Sequence, residues 1–88
     1  MNSHNLTVNA RKHLARIKAM QCIICGMEGP SDAHHIEQGL HYATLPLCKD
    51  CHQGRDGWHG TKALWRVRKM DELRALDQVI AAIVNGSD

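Results

Sequence analysis

The sequence contains no phenylalanine, and Tyr42, Trp58 and Trp65 are its entire aromatic content. With so few large rings, the core is expected to come from Leu, Ile, Val, Met and Ala. A chain of 88 residues buries a modest fraction of its surface and commonly needs an added staple. A second domain, a dinucleotide-binding fold or a (β/α)8 barrel would not fit in this length. Long hydrophobic runs are also missing. The longest strongly apolar stretch covers 79–84, far short of the about 20 residues a membrane-spanning helix requires. Residues 1–10 hold no apolar core of a signal peptide, so the expected location is the cytoplasm, where thiols stay reduced. Repeats and low-complexity tracts are absent.

Histidine and cysteine are abundant instead, at seven and four residues, which is a metal-ligand composition. The net charge of +2 hides a block pattern. Residues 1–27 carry +4 from Arg11, Lys12, Arg16 and Lys18, and residues 57–69 carry +4 from Lys62, Arg66, Arg68 and Lys69, with no acid in either block. The segments 28–56 and 70–88 each carry −3. Two basic clusters flanking a His-rich middle can attract a phosphate backbone; the plainer alternative is that they solvate two helix faces.

The coarse pattern is α+β. Residues 1–8 read as frayed, and Asn9 can cap a basic helix over 9–20. Two short strands, 32–37 and 42–47, are expected to join through Gln38-Gly39, followed by a short helix over 49–55. Thr61 can cap a long helix over 61–84 that stops at Asn85-Gly86. Its apolar positions Leu64, Val67, Met70, Leu73, Leu76, Ile80 and Ile83 form a stripe. That helix either packs on its own domain or offers its outer half to a second copy as a homodimer.

Cys22-Ile-Ile-Cys25 and Cys48-Lys-Asp-Cys51 are two C-x-x-C knuckles. Each can converge two thiolates on one ion, and together they complete a tetrahedral four-cysteine site for structural Zn2+. Four thiolates close the coordination sphere, so such an ion ties segments together and does no chemistry. This leaves His34, His35, His41, His52 and His59 unused. Adjacent residues on a strand face opposite ways, so His34 and His35 can serve different purposes unless a bulge brings them together.

The run Cys22-x-x-Cys25, His34-His35-Ile36, Leu45-Pro46-Leu47-Cys48-x-x-Cys51-His52 resembles the HNH nucleases of the ββα-metal type. The resemblance covers residues 21–56, under half of the chain. It implies a small ββα-metal core with a zinc staple, flanked by the N-terminal and the long C-terminal helix. It also implies metal-dependent hydrolysis of DNA phosphodiester bonds with low sequence specificity. By this resemblance His34 and His52 are ligands of a catalytic divalent metal (Mg2+, Mn2+ or Zn2+), and His35 is the general base. The family's central Asn falls on Ala43, which makes His41 or a backbone group the candidate for orienting the base. The family's last His falls on Asp56, with His59 as its rival for the third metal position. Arg55 is a candidate phosphate contact, and the two basic clusters are candidate DNA contacts. A weaker likeness to phage Ref-type nucleases implies recombination or DNA processing. A non-catalytic zinc module for nucleic acid or protein, and a helical adaptor, are the competing readings.

Overall fold

The computed structural model describes residues 6–86. Helix α1 spans Val8–Ala19, and the Thr7 hydroxyl caps it by accepting from the Ala10 amide at 3.0 Å. The cap therefore lies two residues before the expected Asn9. Of the segment read as frayed, residues 1–5 lie outside the described residues.

Strands β1 (Asp32–His35) and β2 (Thr44–Leu47) pair antiparallel, with His34 opposite Leu45 and His35 opposite Thr44. Both strands are shorter than expected. One further backbone bond, from the Ile36 amide to the Ala43 carbonyl, extends the ladder before the chain turns at 37–42. Helix α2 (Lys49–His52) begins on Cys48, whose sulfur accepts from the Cys51 amide at 3.4 Å. The second knuckle is thus the N-terminus of this helix.

After α2 the chain winds back over it. The Trp58 amide bonds to the Cys51 carbonyl at 2.8 Å and the His59 amide to the His52 carbonyl at 3.0 Å. Gly57 makes this possible, since a Cβ there would run into the Asp50 carbonyl and the Cys51 backbone.

The single helix expected over 61–84 is two helices, α3 (Ala63–Val67) and α4 (Glu72–Val84). Lys69 adopts a left-handed φ of 55°, and the Met70 amide turns back to the Trp65 carbonyl at 2.9 Å, closing α3. Asp71 then starts α4 by accepting from the Arg74 amide at 2.8 Å. A strong N-cap beside an acidic first turn made this start readable; the continuous apolar spacing masked it. The expected stripe is not the buried face: Val67, Leu73 and Ile80 are exposed and Leu64, Met70, Leu76 and Ile83 are half-buried, whereas the buried positions of α4 are Ala75 and Val79.

The core joins Ile17 of α1, Leu45 and Leu47 of β2, Trp65 of α3 and Ala75 and Val79 of α4 around the knuckles. Beside these aliphatic residues, its largest fully buried side chain is Trp65, whose indole N–H donates to the Cys51 carbonyl at 2.8 Å. Trp58 packs on it at 4.6 Å between ring centroids. No helix of the described residues is long and apolar enough to cross a membrane.

Candidate metal centres

Both knuckles are built by local backbone bonds. The Gly26 amide reaches the Cys22 carbonyl at 2.8 Å, and Gly26 takes a φ of 82° that a side chain would resist. The Ile23 amide bonds to the Pro46 carbonyl at 2.9 Å, which holds the first knuckle against the end of β2 and therefore against the second. The result is a four-cysteine cluster, Cys22, Cys25, Cys48 and Cys51, with all four sulfurs within 4.8 Å of one another and all four thiols free. The Cys25 and Cys48 sulfurs are 3.7 Å apart. Two thiolates on a tetrahedral ion with bonds of about 2.3 Å stand about 3.8 Å apart, so the cluster can hold a metal such as zinc.

The electrostatics agree. Burial raises the Cys22 pKa, but hydrogen bonds from backbone groups of Cys25, Cys48 and Ile24 outweigh it and leave the thiol at about 7. Burial, and then the nearby Cys22 charge, push Cys51 well above an ordinary thiol. Thiolates packed this closely repel one another, and a bound cation relieves that repulsion.

A second cluster includes the last residue of α2. His34 is buried in β1, His52 ends α2, and His59 comes from the loop that folds back over it. One ring nitrogen from each lies within 4.8 Å of the others. His34 Nδ1 and His52 Nε2 are 3.2 Å apart, and the His52 and His59 ring centroids 5.0 Å. Burial, followed by repulsion from His52, His34 and Lys62, lowers the His59 pKa. A neutral imidazole is the form that binds a metal. The donor set therefore suits a divalent ion with a position left open, unlike the closed cysteine cluster.

Of the two rivals for the third position, His59 is the residue brought to His34 and His52. Asp56 is not part of the cluster; its carboxylate accepts from the Thr61 hydroxyl at 3.2 Å. Arg55 is 90% exposed at its side chain and stands 3.7 Å from Asp56, outside the cleft walls.

His35 is not part of the three-histidine cluster; its Nε2 lies 3.2 Å from Nδ1 of His41 in the turn between the strands. Burial and then the neighbouring His41 and His34 lower its pKa, against a smaller opposing pull from the Ala33 carbonyl. His35 still lines the same open cleft of about 230 Å3 as His34, His52 and His59, together with Ala33 and Gln38. A larger groove of about 710 Å3 runs along α4 between Arg68 and Ile80. It holds none of the clustered donors.

Two carboxylates at the histidine cluster were not evident from the sequence. Glu72 Oε2 is 2.7 Å from His34 Nε2, and Asp32 Oδ2 is 3.0 Å from His52 Nδ1. Asp32 lies two residues before His34 on the same strand, where period-2 spacing places it on the same face. Glu72 carried no local signal.

The basic residues Arg11, Lys12, Arg16 and Lys18 are exposed on or beside α1, as are Arg66, Arg68 and Lys69 around the end of α3. Lys62 is half-buried, with its ammonium 4.7 Å over the Trp58 ring. Compared with known proteins, the chain matches no family model, no curated protein and no solved structure.

Proposed function

We propose that the chain is a metal-dependent endonuclease of the HNH type, with β1, β2 and α2 as its ββα core and a structural zinc on the four cysteines. The observation that carries this reading is the shared cleft. A fourth imidazole, His35, opens on the same space as the three clustered ones and is not one of them. Hydrolysis of a phosphodiester needs this pairing of a free base with a charge-stabilising centre.

His34, His52 and His59 would hold a divalent ion (Mg2+, Mn2+ or Zn2+), which when bound supplies Lewis acidity at the scissile phosphate and the departing 3′-oxygen. His35 takes the proton of the attacking water. Its Nε2 lies 3.2 Å from Nδ1 of His41, and that contact would orient the His35 ring. The exposed cations on α1 and around α3 supply affinity for the backbone without reading bases, which is why low sequence preference is expected.

Nicking of supercoiled plasmid DNA with Mg2+ or Mn2+ tests the proposal. Wild-type protein should nick, and His35→Ala should fold, bind DNA and lose about 10²- to 10⁴-fold in rate. Ala43, which stands where the resemblance places Asn, favours a second reading, a non-catalytic zinc module. That reading predicts DNA or protein binding with no metal-dependent nicking by the wild type.

A further inference from the structure

The two carboxylates at the histidine cluster share one geometry. Each sits on the ring nitrogen that points away from the neighbouring imidazole. Glu72 engages Nε2 of His34, whose Nδ1 faces His52. Asp32 engages Nδ1 of His52, whose Nε2 faces His34. A carboxylate accepts only, so with each imidazole in the neutral form that binds metal, the pair places the hydrogen on the outer nitrogen and leaves the inner one for an ion. The two inner nitrogens are 3.2 Å apart. Two imidazoles on one tetrahedral ion with bonds of about 2.0–2.1 Å stand about 3.3–3.4 Å apart.

Neither carboxylate is loose. The second oxygen of Asp32 receives the Lys49 ammonium at 2.9 Å. Glu72 is the first residue of α4, held there by the Asp71 cap and the turn that separates α3 from α4. One unbroken helix over 61–84 would carry residue 72 further along the axis of α3. The break is what returns a carboxylate to β1.

We propose that Glu72 and Asp32 are positioning residues: they lock the tautomers of His34 and His52 so that both inner nitrogens converge on one divalent ion. This rests on the reading that His34, His52 and His59 hold such an ion. Glu72 is not a ligand in this arrangement, because it lies on the outer edge of the His34 ring and outside the cluster of donor atoms. It links the site to α4, an element beyond the segment that carries the family resemblance. Both carboxylates also bring negative charge beside three imidazole donors, which supply none to an ion.

The test is Co2+ titration of the full chain holding one equivalent of zinc on its cysteines, followed by calorimetry and the visible d–d bands of Co2+. Glu72→Gln and Asp32→Asn should each weaken Co2+ binding about 10- to 100-fold and alter the d–d bands. Their melting temperature without Co2+ should stay near that of the wild type. Glu72→Asp, which keeps the charge, should recover part of the affinity. Wild-type affinity in both Glu72→Gln and Asp32→Asn, with His34→Ala abolishing binding, overturns the positioning role while leaving the three-histidine site standing. Undiminished Co2+ binding by His34→Ala overturns the site itself and the proposal with it. Should Glu72→Gln fail to fold, Asp32→Asn and Glu72→Asp decide the outcome by the same titration.

Discussion

His35 and His41 meet edge to face, with Nε2 of one 3.2 Å from Nδ1 of the other and the rings at 85°. The contact spans the turn between β1 and β2 and holds the one cleft imidazole that lies outside the metal-type cluster. If this bond orients the base, His41→Ala should slow plasmid nicking by about 10²-fold, the cost of a misplaced reacting group. The fold and the DNA affinity should be unchanged. His41→Asn, which keeps a polar partner, should recover part of the rate. Nicking by His41→Ala at the wild-type rate would remove His41 from the mechanism.

Cys48 has two roles, as a member of the four-sulfur cluster and as the cap of α2. Cys48→Ser separates them, because serine caps helices well but binds zinc poorly. A large drop in melting temperature for Cys48→Ser, matched by chelator treatment of the wild type, is expected if metal binding is folding free energy here. A chelator-insensitive melt would show that the thiols need no ion.

Trp65 is fully buried in the core, and its indole shares the Cys51 carbonyl with the Trp58 amide. Trp65→Phe removes one of these two donors and should cost about 0.5–1.5 kcal/mol. Trp65→Ala adds a cavity and should cost about 3–5 kcal/mol. Urea denaturation of the zinc-loaded protein measures both.

Arg66 and Arg68 are exposed around the end of α3. If this face tracks a phosphate backbone, the double change to Ala should weaken DNA binding and reduce the slope of log K against log salt by about 2. An unchanged slope would place the DNA elsewhere.

His13 of α1 packs on Tyr42 at 5.1 Å, and its Nε2 is buried without a partner. Burial and then Arg16 lower its pKa, with a backbone bond to Tyr42 opposing them. The unfolded chain therefore takes up this proton more readily than the folded one. His13 contributes stability above its ordinary value of about 6.5, and that contribution is lost as pH falls through this value toward the lowered one. Melting temperatures between pH 7.5 and 5 should decline less steeply for His13→Gln than for the wild type.

Much of the candidate site was legible because its signals are local. A C-x-x-C pair converges two sulfurs within a single turn, and Cys51-His52 at the end of α2 leaves little freedom in where the imidazole goes. The alternation of His34 and His35 followed from strand geometry. The α1 cap was misplaced by two residues because Thr7 and Asn9 are both competent caps. The long C-terminal helix was misread for a related reason. Apolar spacing continued through 68–71, and periodicity carries no information about a left-handed Lys69.

By itself, the sequence determined the two donor inventories, thiols in knuckles and surplus imidazoles, and an α+β layout of two short strands among helices. Those follow from residue type and spacing over a few positions. Tertiary structure alone decided that His59 rather than Asp56 joins His34 and His52, that Trp65 lies under Cys51, and that Glu72 reaches back to His34. Each of these is a contact between separate elements, set by the Gly57 turn over α2 and the break before α4. The direction of a chain after such a turn depends on what it packs against, which no local pattern encodes.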